Sequence, residues 1–170
     1  MSDSAKQHCE RGIALLKQSD KEQQALAEFQ AAVQADPDNA TYHAWQGYAH
    51  YRLDQHDRAK AEIERALQLD PNCAVAYYAR GAAQQDPDAM IADANRAIVL
   101  DRGLAHAYRL RGHAYTLEED YDSAIADCTR AIALDPNCAS AYRNRGNAYR
   151  KKKDYDRAIA DYTEAIALDP

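Results

Sequence analysis

The side chains in this sequence best suited to hold a metal or attack a substrate are six histidines and four cysteines. Their spacing supports neither chemistry. His8, His43, His50, His56, His106 and His113 form no His-x-x-x-His or His-Glu-x-x-His pattern, which would set two imidazoles on one helix face against one ion. His106 and His113 share a helix face but lie too far apart to chelate one ion directly. Cys9, Cys73, Cys128 and Cys138 contain no Cys-x-x-Cys pair, and free thiols in a reducing cytoplasm are the simplest reading. The serines have no Gly-x-Ser-x-Gly context, and no glycine-rich loop is placed to cradle a phosphate. The expectation is a chain with no catalytic residue, no metal site and no cofactor, hence not an enzyme.

Arginine and carboxylate recur at fixed slots. Arg11, Arg80, Arg111 and Arg145 each precede a glycine, and Glu28, Glu62, Asp93, Asp127 and Asp161 recur downstream. The one unit without the arginine carries Gln46. A pair that returns at the same position of four units predicts a tie between helices, a structural role and not a ligand contact.

The elements that must position these residues follow from the repetition itself. Residues 105–136 return almost unchanged as 139–170, an offset of 34. Glycines at 12, 47, 81, 112 and 146 fall at intervals of 35, 34, 31 and 34, and prolines at 37, 71, 136 and 170 close four of the units. A glycine inside a helix costs about 1 kcal/mol relative to alanine, so its repetition predicts a close approach of two helices at that point. Each unit reads as two amphipathic helices joined by a polar turn, and an Asp-Pro step stops four of the five, since the residue before proline avoids the helical region. The third unit is three residues short and ends in Asp101-Arg102-Gly103; there Asp86 is expected to cap the second helix, with Pro87 at its first position.

Composition agrees. The 170 residues are 46% hydrophobic and 28% charged, with few Gly and Pro, as in a folded helical protein. No apolar run approaches the ~20 residues needed to span a bilayer, so no membrane insertion is expected. The first six residues lack the apolar core of a secretory signal, which points to the cytoplasm. A net charge of −6 argues against nucleic acid and anionic lipid as partners.

The unit resembles the tetratricopeptide repeat family. Its pattern of aromatic, Gly, aromatic, Ala, aromatic, Ala and Pro is supplied by Tyr142, Gly146, Tyr149, Ala158, Tyr162, Ala165 and Pro170, and again by Tyr108, Gly112, Tyr115, Ala124, Cys128, Ala131 and Pro136. The resemblance implies an all-α fold, a right-handed superhelical solenoid of five antiparallel helix pairs. The chain is read as one domain, 1–170, with repeats at about 5–39, 40–73, 74–104, 105–138 and 139–170. It also implies a non-enzymatic scaffold for protein interactions, whose first helices line a concave groove for an extended peptide.

Carrying the family's groove slots onto this chain gives an apolar, aromatic half with Trp45, Tyr48 and Tyr78. The other half is basic and amide-rich, with Arg109, His113, Arg143, Asn144, Asn147 and Arg150. These residues are the candidate ligand contacts. The basic half suits an acidic or carboxylate-ending peptide, while inter-helix packing is the competing role for the aromatic residues. Some family members clamp the acidic tails of heat-shock chaperones. Arg109, His113 and Asn144 imitate three members of that clamp, with histidine for asparagine, but no window of three units completes it. The alternative function is a self-associating assembly module. The sequence closes on a second helix whose Tyr155, Ile159, Tyr162 and Ile166 would be left partly uncovered, predicting a homo-oligomer through the C-terminal helix.

Overall fold

The structure is a computed structural model that describes residues 3–170. Among the described residues there are ten α-helices and no strand. They are α1 (Asp3–Leu15), α2 (Glu22–Ala35), α3 (Ala40–Arg52), α4 (His56–Leu69), α5 (Ala74–Ala82), α6 (Pro87–Leu100), α7 (Ala105–Leu117), α8 (Tyr121–Leu134), α9 (Ala139–Lys151) and α10 (Tyr155–Leu168). None is long and apolar enough to cross a membrane.

The helix ends follow from local chemistry. Asp36, Asp70, Asp135 and Asp169 terminate α2, α4, α8 and α10 alike. Each donates its N–H to the carbonyl of an alanine four residues back and then turns extended. The aspartate carboxylate then accepts from the backbone two residues on, at Asn72 (2.9 Å) and Asn137 (3.3 Å). The third unit lacks the proline there, yet Asp101 makes the same turn with the Gly103 N–H at 2.8 Å. Its shortened hairpin costs α5 its last turn, so that α5 has 9 residues where α3 and α7 have 13. Asp86 accepts from the Ala89 N–H, with Pro87 in the first turn of α6, as the sequence predicts.

In the other four units one residue between the paired helices adopts the left-handed conformation: Asp20, Asp54, Glu119 and Lys153, with φ of 61°, 57°, 63° and 63°. This residue reverses the chain within a turn too short for an extended connection.

The chain divides into two compact units, residues 1–83 and 84–170. In the first, α1 packs on α2 and α3 on α4, while α3 also contacts α2 and α5. In the second, α7 packs between α6 and α8, α9 between α8 and α10, and the first helices α7 and α9 touch each other. The glycines make the pairing close. A Cβ on Gly12 would stand 2.6 Å from the Phe29 ring, and one on Gly47 would stand 2.8 Å from Ile63. On Gly112 it would meet Cys128 Sγ at 2.7 Å, and on Gly146 the Tyr162 ring at 2.9 Å. Alanines complete each core: Ala25 and Ala32, Ala59 and Ala66, Ala124 and Ala131, Ala158 and Ala165 are all buried.

Candidate functional site

The recurring arginines are committed to the scaffold. Arg111 grips Asp127 with a two-pronged guanidinium–carboxylate pair, Nε at 2.6 Å and Nη2 at 2.8 Å, and reaches Asn95 of α6 with Nη1. Arg145 repeats this one unit later, with Asp161 at 2.9 and 2.7 Å and Thr129 of α8 at 3.1 Å. Each arginine thus ties its own hairpin to the preceding second helix. The carboxylates, together with the neighbouring tyrosines, hold both guanidinium groups above their ordinary pKa, against the opposing pull of burial. Asp127 and Asp161 are buried, so these pairs are shielded from solvent in a way that surface pairs are not. Arg11 meets Glu28 at 3.2 Å in the first unit.

The second repeat solves the same problem with a residue that pattern matching assigns to packing alone. His43 is buried, and its Nδ1 lies 2.6 Å from Glu62 while its Nε2 lies 2.8 Å from the Pro37 carbonyl. Tyr77, in the same slot one repeat later, donates its hydroxyl to the Pro71 carbonyl at 3.0 Å. The signal in the sequence was the joint change, histidine for tyrosine at 43 and glutamine for arginine at 46. Gln46 is buried, and its Oε1 has no hydrogen-bond partner.

The predicted contact residues separate into two groups. Trp45, Tyr48 and Tyr78 belong to the first compact unit and are 3%, 6% and 0% exposed. Trp45 stacks on Phe29 at 6.0 Å between ring centres and meets Tyr48 edge-on at 6.0 Å, and Tyr48 lies 4.9 Å from Tyr78. This aromatic wall joins α2, α3 and α5 and offers little surface to a partner.

Arg109, His113, Arg143, Asn144, Asn147 and Arg150 lie in the second unit on α7 and α9. His113, Arg143 and Arg150 are exposed, and Arg109, Asn144 and Asn147 are half-buried. Arg109 and His113 stand one turn apart on α7, as Arg143 and Asn147 do on α9, and the two helices are in contact. Tyr162 donates its hydroxyl to Asn147 Oδ1 at 2.8 Å, which fixes the amide and leaves its nitrogen as a donor. His113 reaches solvent, yet the protein packed around it, and secondarily the charge of Arg109, pushes its pKa below the ordinary imidazole value. The two helices thus bring the guanidinium groups of Arg109 and Arg143 onto the same pair of elements as the Asn147 amide donor.

The other nucleophiles are covered. All four cysteines are free and buried, and burial pushes the thiols of Cys9 and Cys128 up to about 12. Among the described residues no three His, Cys, Asp or Glu side chains gather where they could hold a metal ion.

Family patterns described as tetratricopeptide repeat match residues 9–73, 105–138 and 139–170. The stretch left between them contains the shortened third repeat. No curated relative matches the sequence. Among solved structures, the chain is similar to MamA 41-end from Desulfovibrio magneticus RS-1, at 23% identity and a TM-score of 0.60 over 99% of this chain and 96% of that one. It is similar to a thermophilic TPR protein of Thermus thermophilus, at 18% identity and a TM-score of 0.70 over 96% and 91% of the two chains. A third likeness is to YrrB, described as a TPR protein with an unusual peptide-binding site, at 22% identity and a TM-score of 0.58 over 95% and 84%. At these identities the likenesses bear on the fold.

Proposed function

The chain belongs to the tetratricopeptide repeat family, and we propose that it is a non-enzymatic interaction scaffold that holds an extended acidic or carboxylate-ending peptide against α7 and α9. The observation that carries this reading is the pairing of Arg109 and His113 on α7 with Arg143 and Asn147 on the adjoining α9, in a chain whose net charge is −6. A local concentration of donors within an acidic protein selects for carboxylates, because bulk charge repels them everywhere else. Arg150 extends the same face by one turn, and Asn144 adds an amide beside Arg143. In this reading Trp45, Tyr48 and Tyr78 hold the first unit together. Arg111 and Arg145 are withheld from ligand by their aspartates. Four free, buried thiols fit a reducing compartment, and we place the scaffold in the cytoplasm.

The test is the affinity of a fluorescent peptide ending in a run of acidic residues with a free carboxylate, measured by polarisation. Reversing the charge at Arg109→Glu/Arg143→Glu is expected to weaken binding by about a hundredfold or more, with unchanged helicity. Raising salt weakens the native complex, and capping the peptide's carboxylate as an amide weakens it further. Binding also strengthens as pH falls below the ordinary imidazole value of 6.5, since a bound carboxylate favours the protonated His113. Equal affinity of the native and double-reversed chains would remove this face from the function.

A further inference from the structure

We propose that Tyr162 is a positioning residue of the contact face: its hydroxyl turns the Asn147 amide to offer a donor, so that the face selects a free carboxylate over a carboxamide. The proposal rests on the reading of α7 and α9 as the peptide-binding face. It starts from the residues that lie beneath the helix-packing glycines. A Cβ on Gly12, Gly47, Gly112 or Gly146 would meet Phe29, Ile63, Cys128 or Tyr162 respectively. Of these four side chains only Tyr162 carries a hydroxyl. The first repeat shows that phenylalanine fills the slot, so packing alone does not call for the phenol oxygen. That oxygen has a partner on the helix above it. The Tyr162 hydroxyl donates to Asn147 Oδ1 at 2.8 Å.

Two neighbouring contacts hold the phenol in place. Arg145 grips Asp161, the residue before Tyr162, with Nε at 2.9 Å and Nη2 at 2.7 Å. The bare backbone of Gly146 lets the Tyr162 ring lie 2.9 Å from where a Cβ would stand. Helix α10 is thus pinned to α9 at two adjoining residues, and the hydroxyl is delivered to one atom. The amide it meets has two chemically opposite ends. An unheld asparagine serves a carboxylate through its N–H groups or a carboxamide through its oxygen, whichever the ligand brings. With the phenol on Oδ1, the nitrogen is the end left for a ligand. Arg143, exposed one turn away on α9, adds a second donor. A carboxylate accepts from both. A carboxamide has one oxygen and must turn its own N–H groups toward the other donor, which leaves a pairing unmade. On α7 the slot of Asn147 holds His113, and Cys128 beneath Gly112 has no hydroxyl to give. The selectivity therefore belongs to the fifth repeat.

The experiment compares two fluorescent peptides that end in the same run of aspartates, one with a free carboxylate and one with a carboxamide. Polarisation gives the dissociation constant of each, and the ratio of the two is the readout. Tyr162→Phe keeps the ring beneath Gly146 and should lower the preference for the free carboxylate by about threefold or more, with unchanged circular dichroism. Asn147→Ala should lower it by a similar factor, and Tyr162→Phe added to Asn147→Ala should lower it no further. Tyr155→Phe, which removes an exposed phenol from the same helix, should leave the ratio unchanged. A merely structural role for the hydroxyl would weaken both peptides alike and leave the ratio where it was. The proposal is overturned by an unchanged ratio in Tyr162→Phe, by additive losses in the double variant, or by an equal loss in Tyr155→Phe. In those cases, sensitivity of the free-carboxylate peptide to Arg109→Glu/Arg143→Glu would keep the contact face itself in place. A native chain that binds neither peptide overturns both.

Discussion

At Gly112 two opposing effects meet, and their magnitudes decide the sign of a substitution. Alanine would gain about 1 kcal/mol of helix propensity. Its methyl would also stand 2.7 Å from Cys128 Sγ and 3.1 Å from the Ala124 carbonyl oxygen. The thiol can rotate, but the carbonyl belongs to the helix backbone, and overpacking of this kind costs roughly 1–3 kcal/mol. Gly112→Ala is therefore expected to lower the free energy of unfolding, measured in urea, although its helix becomes intrinsically better. This glycine role was legible in the sequence, because a costly residue repeated at one offset needs a reason. The role of His43 was not. A lone histidine in an aromatic slot reads as packing, and its bond to Glu62 becomes visible only when the absent arginine at 46 is considered with it. Packing was the competing role read for Trp45, Tyr48 and Tyr78, but a groove slot and a core slot carry the same aromatic residues, so the choice between them waited for the structure.

At the scale of the helix and its ends, the turn residues offer the clearest test. Glu119 holds φ at 63°, a conformation in which its Cβ crowds the following carbonyl. Glu119→Gly should stabilise the fold by about 1 kcal/mol, read as a higher melting temperature, whereas the same change at a helical position would destabilise. The caps give a pH signature. Hydrogen bonds from Ser123 hold the Asp120 carboxyl below its ordinary pKa, and Arg157 does the same for Asp154. A lowered folded value means these caps stabilise fully above the ordinary carboxylate value of 3.8 and lose their effect as pH falls through the lower folded values. Asp120→Ala/Asp154→Ala should thus melt earlier than the native chain at neutral pH, with the difference closing in strong acid. The element boundaries were largely readable beforehand, because Leu-Asp-Pro and Asp86-Pro87 name their own physics. The shortening of α5 was not readable in full: a three-residue deletion between helices can shorten either the turn or the helix, and here the helix yields.

Across the whole molecule, each helix is held by neighbours in the stack and not by a common centre. Damage should then stay local. Arg145→Met leaves the Asp161 carboxylate buried without its partner and should cost about 2–3 kcal/mol. The single tryptophan, Trp45, reports on the first unit alone, whereas circular dichroism reports on every helix. The circular dichroism transition of Arg145→Met should shift to lower denaturant more than its Trp45 fluorescence transition, and coincident shifts would show that the stack melts as one body. Stacking was the most legible property of the sequence, since five units at intervals of 35, 34, 31 and 34 residues permit little else. Ligand chemistry was the least legible, because scaffold and contact residues share the same helices.

The hydrogen bond from Tyr162 to Asn147 has a further consequence, for how the chain finds its own fold. The last two hairpins share glycine, arginine, aspartate and alanine at matching slots, so α10 would meet on α7 a surface close to the one it meets on α9. One difference lies beneath the glycines. Gly112 receives the small Cys128, and Gly146 receives the Tyr162 ring, whose hydroxyl ends on Asn147. On α7 that tyrosine would find His113 in place of the asparagine. The phenol and its amide are thus a contact of the last hairpin that its near-duplicate does not repeat.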